Sequence, residues 1–184
     1  MTNTAPKDQK MHTKDVVTVV LLALVNIVLF GLSTFLYLTP FTILLMPVYF
    51  SLLEGIAFFF IGAKVKKKGA ILLYAVVRGV LGVYPPYVLL YILGGLIGEV
   101  LMARFGYGNT KGLTLSYVIL QVLACIGSTI YPYTIAFDSM MAQGGADMRS
   151  DNVIQAAAVL QSYGWIVLPI TVLPASASLN SPQV

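Results

Sequence analysis

Long apolar runs, broken by short polar or proline-containing stretches, are the feature that most constrains how this chain can fold. The 184 residues are 58% hydrophobic and only 10% charged, whereas about 25% of the residues in a soluble domain are charged. A chain this short cannot hide so much apolar surface from water. We therefore predict an all-α, polytopic membrane protein that forms a single membrane domain over residues 1–184.

Each apolar run of suitable length is a candidate transmembrane helix, since about 20 residues of helix cross ~30 Å of hydrocarbon. Six helices are predicted, at about 16–38, 41–62, 70–84, 86–103, 113–137 and from Tyr163 onward. The sixth is unusual, because its apolar run at 164–174 is short and contains Pro169. The helix bundle thus occupies 16–174, between an N-terminal tail at 1–15 and an atypical tail at 175–184.

The distribution of lysine and arginine predicts the orientation, since cytoplasmic loops are rich in these residues. With a cytoplasmic N-terminus, nine of the eleven basic residues lie inside, including the run KVKKKG at 64–69. Arg149 alone then lies outside, and Arg78 lies within a span. The outward loops are 38–41, 84–87 and the long polar segment 138–162. We expect the first run to be a retained span, because no small-residue cleavage pattern precedes its end.

Three ionisable side chains lie inside the predicted spans, namely Glu54, Arg78 and Glu99. Such residues are costly in a bilayer and are candidates for function. Glu54 and Arg78 each lie nine residues from the inner end of a helix, which is ~13 Å at ~1.5 Å per residue. We predict that they form an ion pair that ties the bundle together, in preference to contacting a ligand directly. Glu99 is closer to the inner surface and is expected to compete for Arg78 or to pair with Arg104.

Uncharged polar and small residues also lie within the spans. Asn26 and Gln121 are at mid-span, where each either bonds to a neighbouring helix or faces a ligand. The sequence alone leaves these two roles equal. Small residues at Ser51-x-x-x-Gly55 and Gly94-Gly95-x-x-Gly98 indicate close helix packing.

Aromatic residues concentrate on the predicted outer side. They are Tyr84, Tyr87 and Tyr91 around the Pro-Pro step, Tyr131 and Tyr133 beside Pro132, and Tyr163 and Trp165 at the start of the sixth helix. The ordinary explanation for any one of them is an aromatic belt at the membrane interface. The alternative is an outward pocket in which the rings stack on a flat ligand. The prolines favour this alternative, because irregular backbone at membrane depth is tolerated where it lines a cavity.

Motifs for catalysis and metal binding are absent from the sequence. It contains no G-x-x-x-x-G-K-[ST], G-x-S-x-G or H-E-x-x-H pattern. Cys125 is the single cysteine and His12 the single histidine, which excludes an intrachain disulfide and a Cys/His metal cluster. We expect that the chain is not an enzyme and that it binds no cofactor, metal or nucleic acid.

The combination of features resembles a known family. These features are a basic N-terminal tail, a Lys-rich inner hairpin, a G-G-x-x-G-E segment and a long outer segment before a Trp-containing last helix. The G-G-x-x-G-E segment is formed by Gly94, Gly95, Gly98 and Glu99. Over residues 12–173 the chain resembles the substrate-binding S components of energy-coupling factor (ECF) vitamin transporters. It is most similar to the branch with predicted carriers of hydroxymethylpyrimidine, a thiamine precursor, and of related B vitamins.

The resemblance implies a binding subunit that captures a small water-soluble vitamin near the outer surface. Such subunits work with a transmembrane T component and two ATPases, which bind the ATP. Members of the family often carry A-x-x-x-A in the first helix for docking onto the T component. Here Ala23 is followed by Ile27, so only half of that motif is present, and Gly55 and Gly79 are the expected additional docking residues.

The outer aromatics and the scarcity of outer charge favour a neutral, flat ligand of the hydroxymethylpyrimidine or pyridoxine type. Two other functions are retained as alternatives. A self-sufficient secondary transporter is expected to contain inverted repeats and titratable groups near the middle of the membrane. A membrane scaffold or accessory subunit needs no cavity at all.

Overall fold

The computed structural model describes residues 10–143, 150–163 and 169. Within them the α-helices are α1 (Thr13–Gly31), α2 (Pro40–Lys64), α3 (Ala70–Val80), α4 (Pro85–Phe105), α5 (Thr110–Cys125), α6 (Phe137–Gln143) and α7 (Asp151–Tyr163). α1 continues as a tighter 3-10 segment, Leu32–Leu38, and α5 continues as a wider π-helical segment, Ile126–Ile135. No strand occurs in the described part of the chain, so the predicted all-α class is correct there.

Among the described residues, four helical runs are long and apolar enough to cross a membrane: Thr13–Leu38, Pro40–Lys64, Pro85–Phe105 and Thr110–Ile135. α3 is apolar but has only 11 residues, which is ~16 Å of helix. The first five predicted helices therefore match α1–α5 in order, but the third is shorter than a full span. The predicted sixth helix beyond Tyr163 and the tail at 175–184 lie outside the described residues. Sidedness stays a prediction.

The helices begin where local chemistry favours a start. Thr39 caps α2 by accepting a hydrogen bond from the Thr42 backbone N–H at 3.2 Å, and Pro40 occupies the first helical position, where its missing N–H costs nothing. Asn109 caps α5 in the same way, through the Gly112 N–H at 3.1 Å. Gly69 precedes α3 with φ +89°, a left-handed conformation that favours glycine.

α4 lies between α3 and α5 and depends on its glycines for this position. A Cβ atom at Gly95 would collide with the Cβ of Ala75 on α3. A Cβ at Gly94 would lie 3.0 Å from the Leu120 Cα on α5, and one at Gly98 would lie 3.3 Å from the Ser116 Cβ. The Ser116 hydroxyl also donates to the Gly98 carbonyl at 3.0 Å. The small-residue spacing thus allows α4 to approach two helices at once.

The segment 138–162, predicted only as polar and outward-facing, contains most of α6 and all but the last residue of α7. α7 packs its apolar face against Ile43 of α2 and Tyr133 of the π-helical segment. That face consists of Val153, Ala156, Ala157 and Leu160, at the i, i+3, i+4, i+7 spacing of an amphipathic helix. The average polarity of the segment concealed this spacing.

Asn152 anchors α7 to the end of the 3-10 segment, because its amide donates to the Leu38 carbonyl at 2.9 Å. Replacing Asn152 by alanine is expected to lower the free energy of unfolding by about 1 kcal/mol, the usual net value of one hydrogen bond. Thermal unfolding in detergent measures this, with Gln155→Ala on the exposed side of α7 as the matched control. Equal effects of both changes would contradict the anchoring role.

Candidate functional site

A buried ion pair occupies the middle of the bundle. Arg78 Nη2 on α3 lies 2.8 Å from Glu54 Oε1 on α2, and the two residues are only 2% and 3% exposed. This is the pair that the equal depths of the two residues predict. Arg78 Nε also donates to Asn26 Oδ1 on α1 at 2.9 Å. A buried charge pair is tolerated only when its remaining donors and acceptors are also satisfied, and Asn26 supplies one such contact.

The second carboxylate oxygen of Glu54 is bonded from the opposite side of the bundle. The Tyr91 hydroxyl on α4 donates to Glu54 Oε2 at 3.2 Å. With its amide oriented to satisfy both partners, Gln121 on α5 donates to the same oxygen at 3.1 Å and accepts from the Ser51 N–H at 3.2 Å. One network therefore joins α1, α2, α3, α4 and α5 around a charge pair whose net charge is zero.

Aromatic rings surround the guanidinium of Arg78. Its central carbon lies 5.1 Å from the ring centroid of Phe30, 5.7 Å from that of Tyr87 and 6.0 Å from that of Tyr91. Ring faces attract a cation, and the attraction is stronger where water is excluded. The sequence pattern points to Tyr87 and Tyr91 through the outer tyrosine cluster, but it does not point to Phe30.

Two adjoining cavities lie against this network, one of about 220 Å³ and one of about 190 Å³. They share Phe30, Tyr37, Arg78, Tyr87, Ser128 and Tyr133. The α2 residues that line the larger cavity come from the first 15 residues of that helix, whereas the Lys-rich hairpin begins at its last residue, Lys64. The cavities therefore lie toward the end of the bundle that is distant from the lysines.

The structure gives the predicted ligand-binding residues three kinds of position. Tyr87 and Tyr133 line both cavities, Tyr84 lines the smaller and Gln121 the larger. Asn26 and Tyr91 lie behind the cavity wall, where they bond to the ion pair. Tyr131 lines neither cavity, Tyr163 is exposed at the end of α7, and Trp165 lies outside the described residues.

Other lining residues escaped the sequence analysis. They are Phe30, Gly31, Ser33, Tyr37, Ile43, Met46, Pro47, Phe50, Gly82, Ala124, Cys125, Ser128, Thr129 and Met140. Pro47 inside α2 was an available signal, because an interior proline removes a helical hydrogen bond and irregular backbone tends to line cavities. Ser128, Thr129 and Pro132 belong to the π-helical segment, and such segments are frequent at functional sites.

The structure places the three predicted docking residues inside the bundle. Ala23 is 0% exposed, Gly55 packs against the Tyr117 hydroxyl at 3.1 Å, and Gly79 packs against the Tyr91 Cβ at 3.5 Å. All three small residues lie in contacts within the bundle, where small size allows helices to approach. They are therefore not available to a partner on the surface in this conformation.

Glu99 pairs with neither Arg78 nor Arg104 among the described residues, which corrects a second expectation. Its Oε1 accepts from the Gly69 backbone N–H at 2.6 Å and from the Tyr107 hydroxyl at 2.7 Å. Partial burial and the bond to Glu99 raise the pKa of Tyr107, which keeps its hydroxyl protonated as a donor. Glu99 thus ties the start of α3 to the loop after α4, at the lysine-rich end.

Apolar helices around a neutralised polar network and an adjoining cavity define a multi-pass helical membrane protein. The chain belongs to a family described as hypothetical bacterial integral membrane protein (Trep_Strep), whose model matches residues 13–179. No curated protein and no solved structure matches it. The family match establishes the integral membrane class, and its description names no ligand or partner.

Proposed function

We propose that the chain is the substrate-binding S component of an ATP-driven ECF importer in the bacterial cytoplasmic membrane. It captures a small heteroaromatic vitamin or precursor, of the hydroxymethylpyrimidine or pyridoxine type, and delivers it inward with a T component and two ATPases. The observation that carries this proposal is the pair of aromatic cavities at the end of the bundle distant from the lysine hairpin. With the hairpin in the cytoplasm, these cavities open toward the outside.

The size and lining of the cavities support a one-ring ligand. Ligand sites usually measure ~300–1,000 Å³. The larger cavity, of about 220 Å³, is too small for this range by itself, but it adjoins the second cavity of about 190 Å³, and a small ligand can use both. Phe30, Phe50, Tyr87 and Tyr133 supply aromatic surface. Flat rings stack favourably on such side chains.

The charge around the cavities supports a neutral ligand. Arg78 is the only described Lys or Arg residue that lines either cavity, and Glu54 already neutralises it at 2.8 Å. A phosphorylated ligand needs cationic or multiple donor groups that are not already paired. The unphosphorylated vitamin or precursor is therefore the better fit.

The proposed division of labour matches the sequence, which holds no phosphate-binding loop. Partner subunits bind the ATP, and this chain performs no chemistry. The T-component contact is a separate question. Because Ala23, Gly55 and Gly79 are buried, we propose that the T component instead contacts exposed apolar side chains of the helices. Leu21, Leu24 and Val28 on α1 are 45–63% exposed, and lipid covers whatever part of this surface the partner does not.

Thermal unfolding of the purified protein against a panel of B vitamins and their precursors tests the ligand class. We expect hydroxymethylpyrimidine or pyridoxine to raise the unfolding temperature in a concentration-dependent manner, since a ligand that binds only the folded state stabilises it by mass action. Their phosphate esters are the matched controls and are expected to give a smaller shift. A shift from anionic vitamins alone would contradict the proposed ligand class.

One observation favours a secondary transporter as the second candidate, because the Glu54 carboxylate lines the larger cavity near mid-bundle. Titratable groups in such positions couple ions to substrate in transporters of that class. The close contact with Arg78 at 2.8 Å opposes this role, since the carboxylate is already occupied by an ion-pair partner. Uptake by the chain alone in liposomes distinguishes the two functions.

A further inference from the structure

The Tyr87 hydroxyl is a buried polar group without a hydrogen bond. The residue is 7% exposed and lines both cavities, yet its oxygen has no hydrogen-bond partner in the described structure. It interacts electrostatically with the nearby Glu54 carboxylate, but the two groups do not meet the distance and angle that define a hydrogen bond. Most buried polar side-chain atoms in proteins are bonded, so an unbonded one at a cavity requires an explanation.

Most neighbouring groups of the polar network are already bonded; Asn26 Nδ2 is unpaired, but Asn26 lines neither cavity. Glu54 accepts from Arg78 with one oxygen and from Tyr91 with the other. Gln121 is oriented toward Glu54 Oε2 and the Ser51 N–H. A ligand in the cavity therefore meets a largely satisfied ion-pair network and, beside it, the buried Tyr87 hydroxyl, which is free to donate.

The Tyr87 ring is held firmly in place. Its centroid lies 5.1 Å from that of Tyr91 and 5.7 Å from the Arg78 guanidinium. Its backbone passes close to Gly127, where a Cβ atom would lie 2.8 Å from the Tyr87 Cα. A donor fixed by its surroundings loses little freedom when a ligand binds, and this favours selectivity.

We propose that the Tyr87 hydroxyl is the specificity-determining polar contact of the site, and that it donates to an acceptor on the edge of an uncharged ring. A ring nitrogen or a hydroxymethyl oxygen is an acceptor of this kind. The inference rests on the proposed function and adds to it the group that distinguishes one ring from another. A site built to bond a polar atom rejects analogues that lack it, because the protein group is then left unpaired.

The test compares wild type, Tyr87→Phe and the control Tyr49→Phe, whose tyrosine lines neither cavity. Binding of hydroxymethylpyrimidine and of its phosphate ester is measured by calorimetry, and ligand-free stability by thermal unfolding. We expect Tyr87→Phe to weaken hydroxymethylpyrimidine binding about 2- to 10-fold, the range for one net hydrogen bond. Its ligand-free unfolding temperature is expected to be unchanged or higher, since the variant removes an unbonded buried hydroxyl.

Each result has a defined meaning. Undiminished binding by Tyr87→Phe overturns the inference, and so does a lower ligand-free unfolding temperature, which indicates a structural role for the hydroxyl. Equal affinity of wild type for the phosphate ester overturns the uncharged ligand. If wild type binds neither hydroxymethylpyrimidine nor pyridoxine, the ligand class of the proposed function fails together with this inference. If wild type binds and only the Tyr87→Phe comparison fails, the proposed function stands.

Discussion

Replacing Arg78 by methionine is expected to lower the free energy of unfolding by about 3–5 kcal/mol, the largest effect of any single change proposed for this chain. The variant leaves the Glu54 carboxylate buried at 3% exposure without its charged partner, and it leaves the Asn26 oxygen without the Arg78 Nε donor. Both losses fall on the network that joins α1, α2 and α3. Equilibrium unfolding in mixed detergent measures the change.

Two further variants make this result specific. Arg104→Met alters an exposed arginine of α4 and is expected to stay within about 0.5 kcal/mol of wild type. The double variant Arg78→Met with Glu54→Gln removes the uncompensated charge, and is expected to be less destabilised than the sum of its single variants. Stability of Arg78→Met close to that of Arg104→Met would contradict the role of the pair as a tie within the bundle.

The second large effect is expected from Gly127→Ala, where one methyl group meets backbone rather than a mobile side chain. Its Cβ would lie 2.8 Å from the Tyr87 Cα and 3.2 Å from the Pro86 carbonyl oxygen. The start of α4 and the π-helical segment must therefore move apart, and overpacking of this kind costs about 1–3 kcal/mol. Since Tyr87 and Ser128 line both cavities, ligand binding is expected to weaken about 10-fold or more, as small misplacements are costly.

Gly79→Ala is the matched control for Gly127→Ala. Gly79 is also buried, but its added Cβ would make only ordinary contacts of 3.5 Å with Ile92 and Tyr91. Alanine is favoured over glycine inside a helix by about 1 kcal/mol, so this variant is expected to be neutral or more stable. Unfolding temperature and ligand affinity are measured together. Similar effects of the two variants would show that the approach of α4 to the π-helical segment does not shape the site.

Much of the helical architecture can be predicted because apolar runs report it directly. The predicted break at 38–41 between the first two helices and the glycines of α4 indicate a helix start and close packing, respectively, and both are present. α7 was missed because its apolar face uses alanines, which contribute little to average hydropathy. The short α3 was predicted too long, because the apolar residues after Val80 continue into a turn in which Val83 has φ +62°.

The site could be predicted only in part. Arg78 and Glu54 lie at the same depth in two consecutive helices, and a buried charge needs a partner. The sequence therefore indicates this ion pair. The contribution of Phe30, Tyr37 and Ser128 could not be predicted, since it depends on how distant turns meet at one end of the bundle. A similar limitation applies to Ala23, Gly55 and Gly79, which were predicted to dock a partner but pack inside the bundle. Small residues pack equally well within a chain or between chains, so the sequence does not distinguish the two.

The central claim is that this chain binds a vitamin or precursor but relies on partners to move it. The direct measurement is uptake of radiolabelled hydroxymethylpyrimidine or pyridoxine by proteoliposomes that contain the chain alone, or the chain with a T component and two ATPases. The account predicts binding without accumulation by the chain alone, and ATP-dependent accumulation by the assembled complex. Accumulation by the chain alone under an ion gradient, or failure of the co-expressed subunits to form any complex, would contradict it.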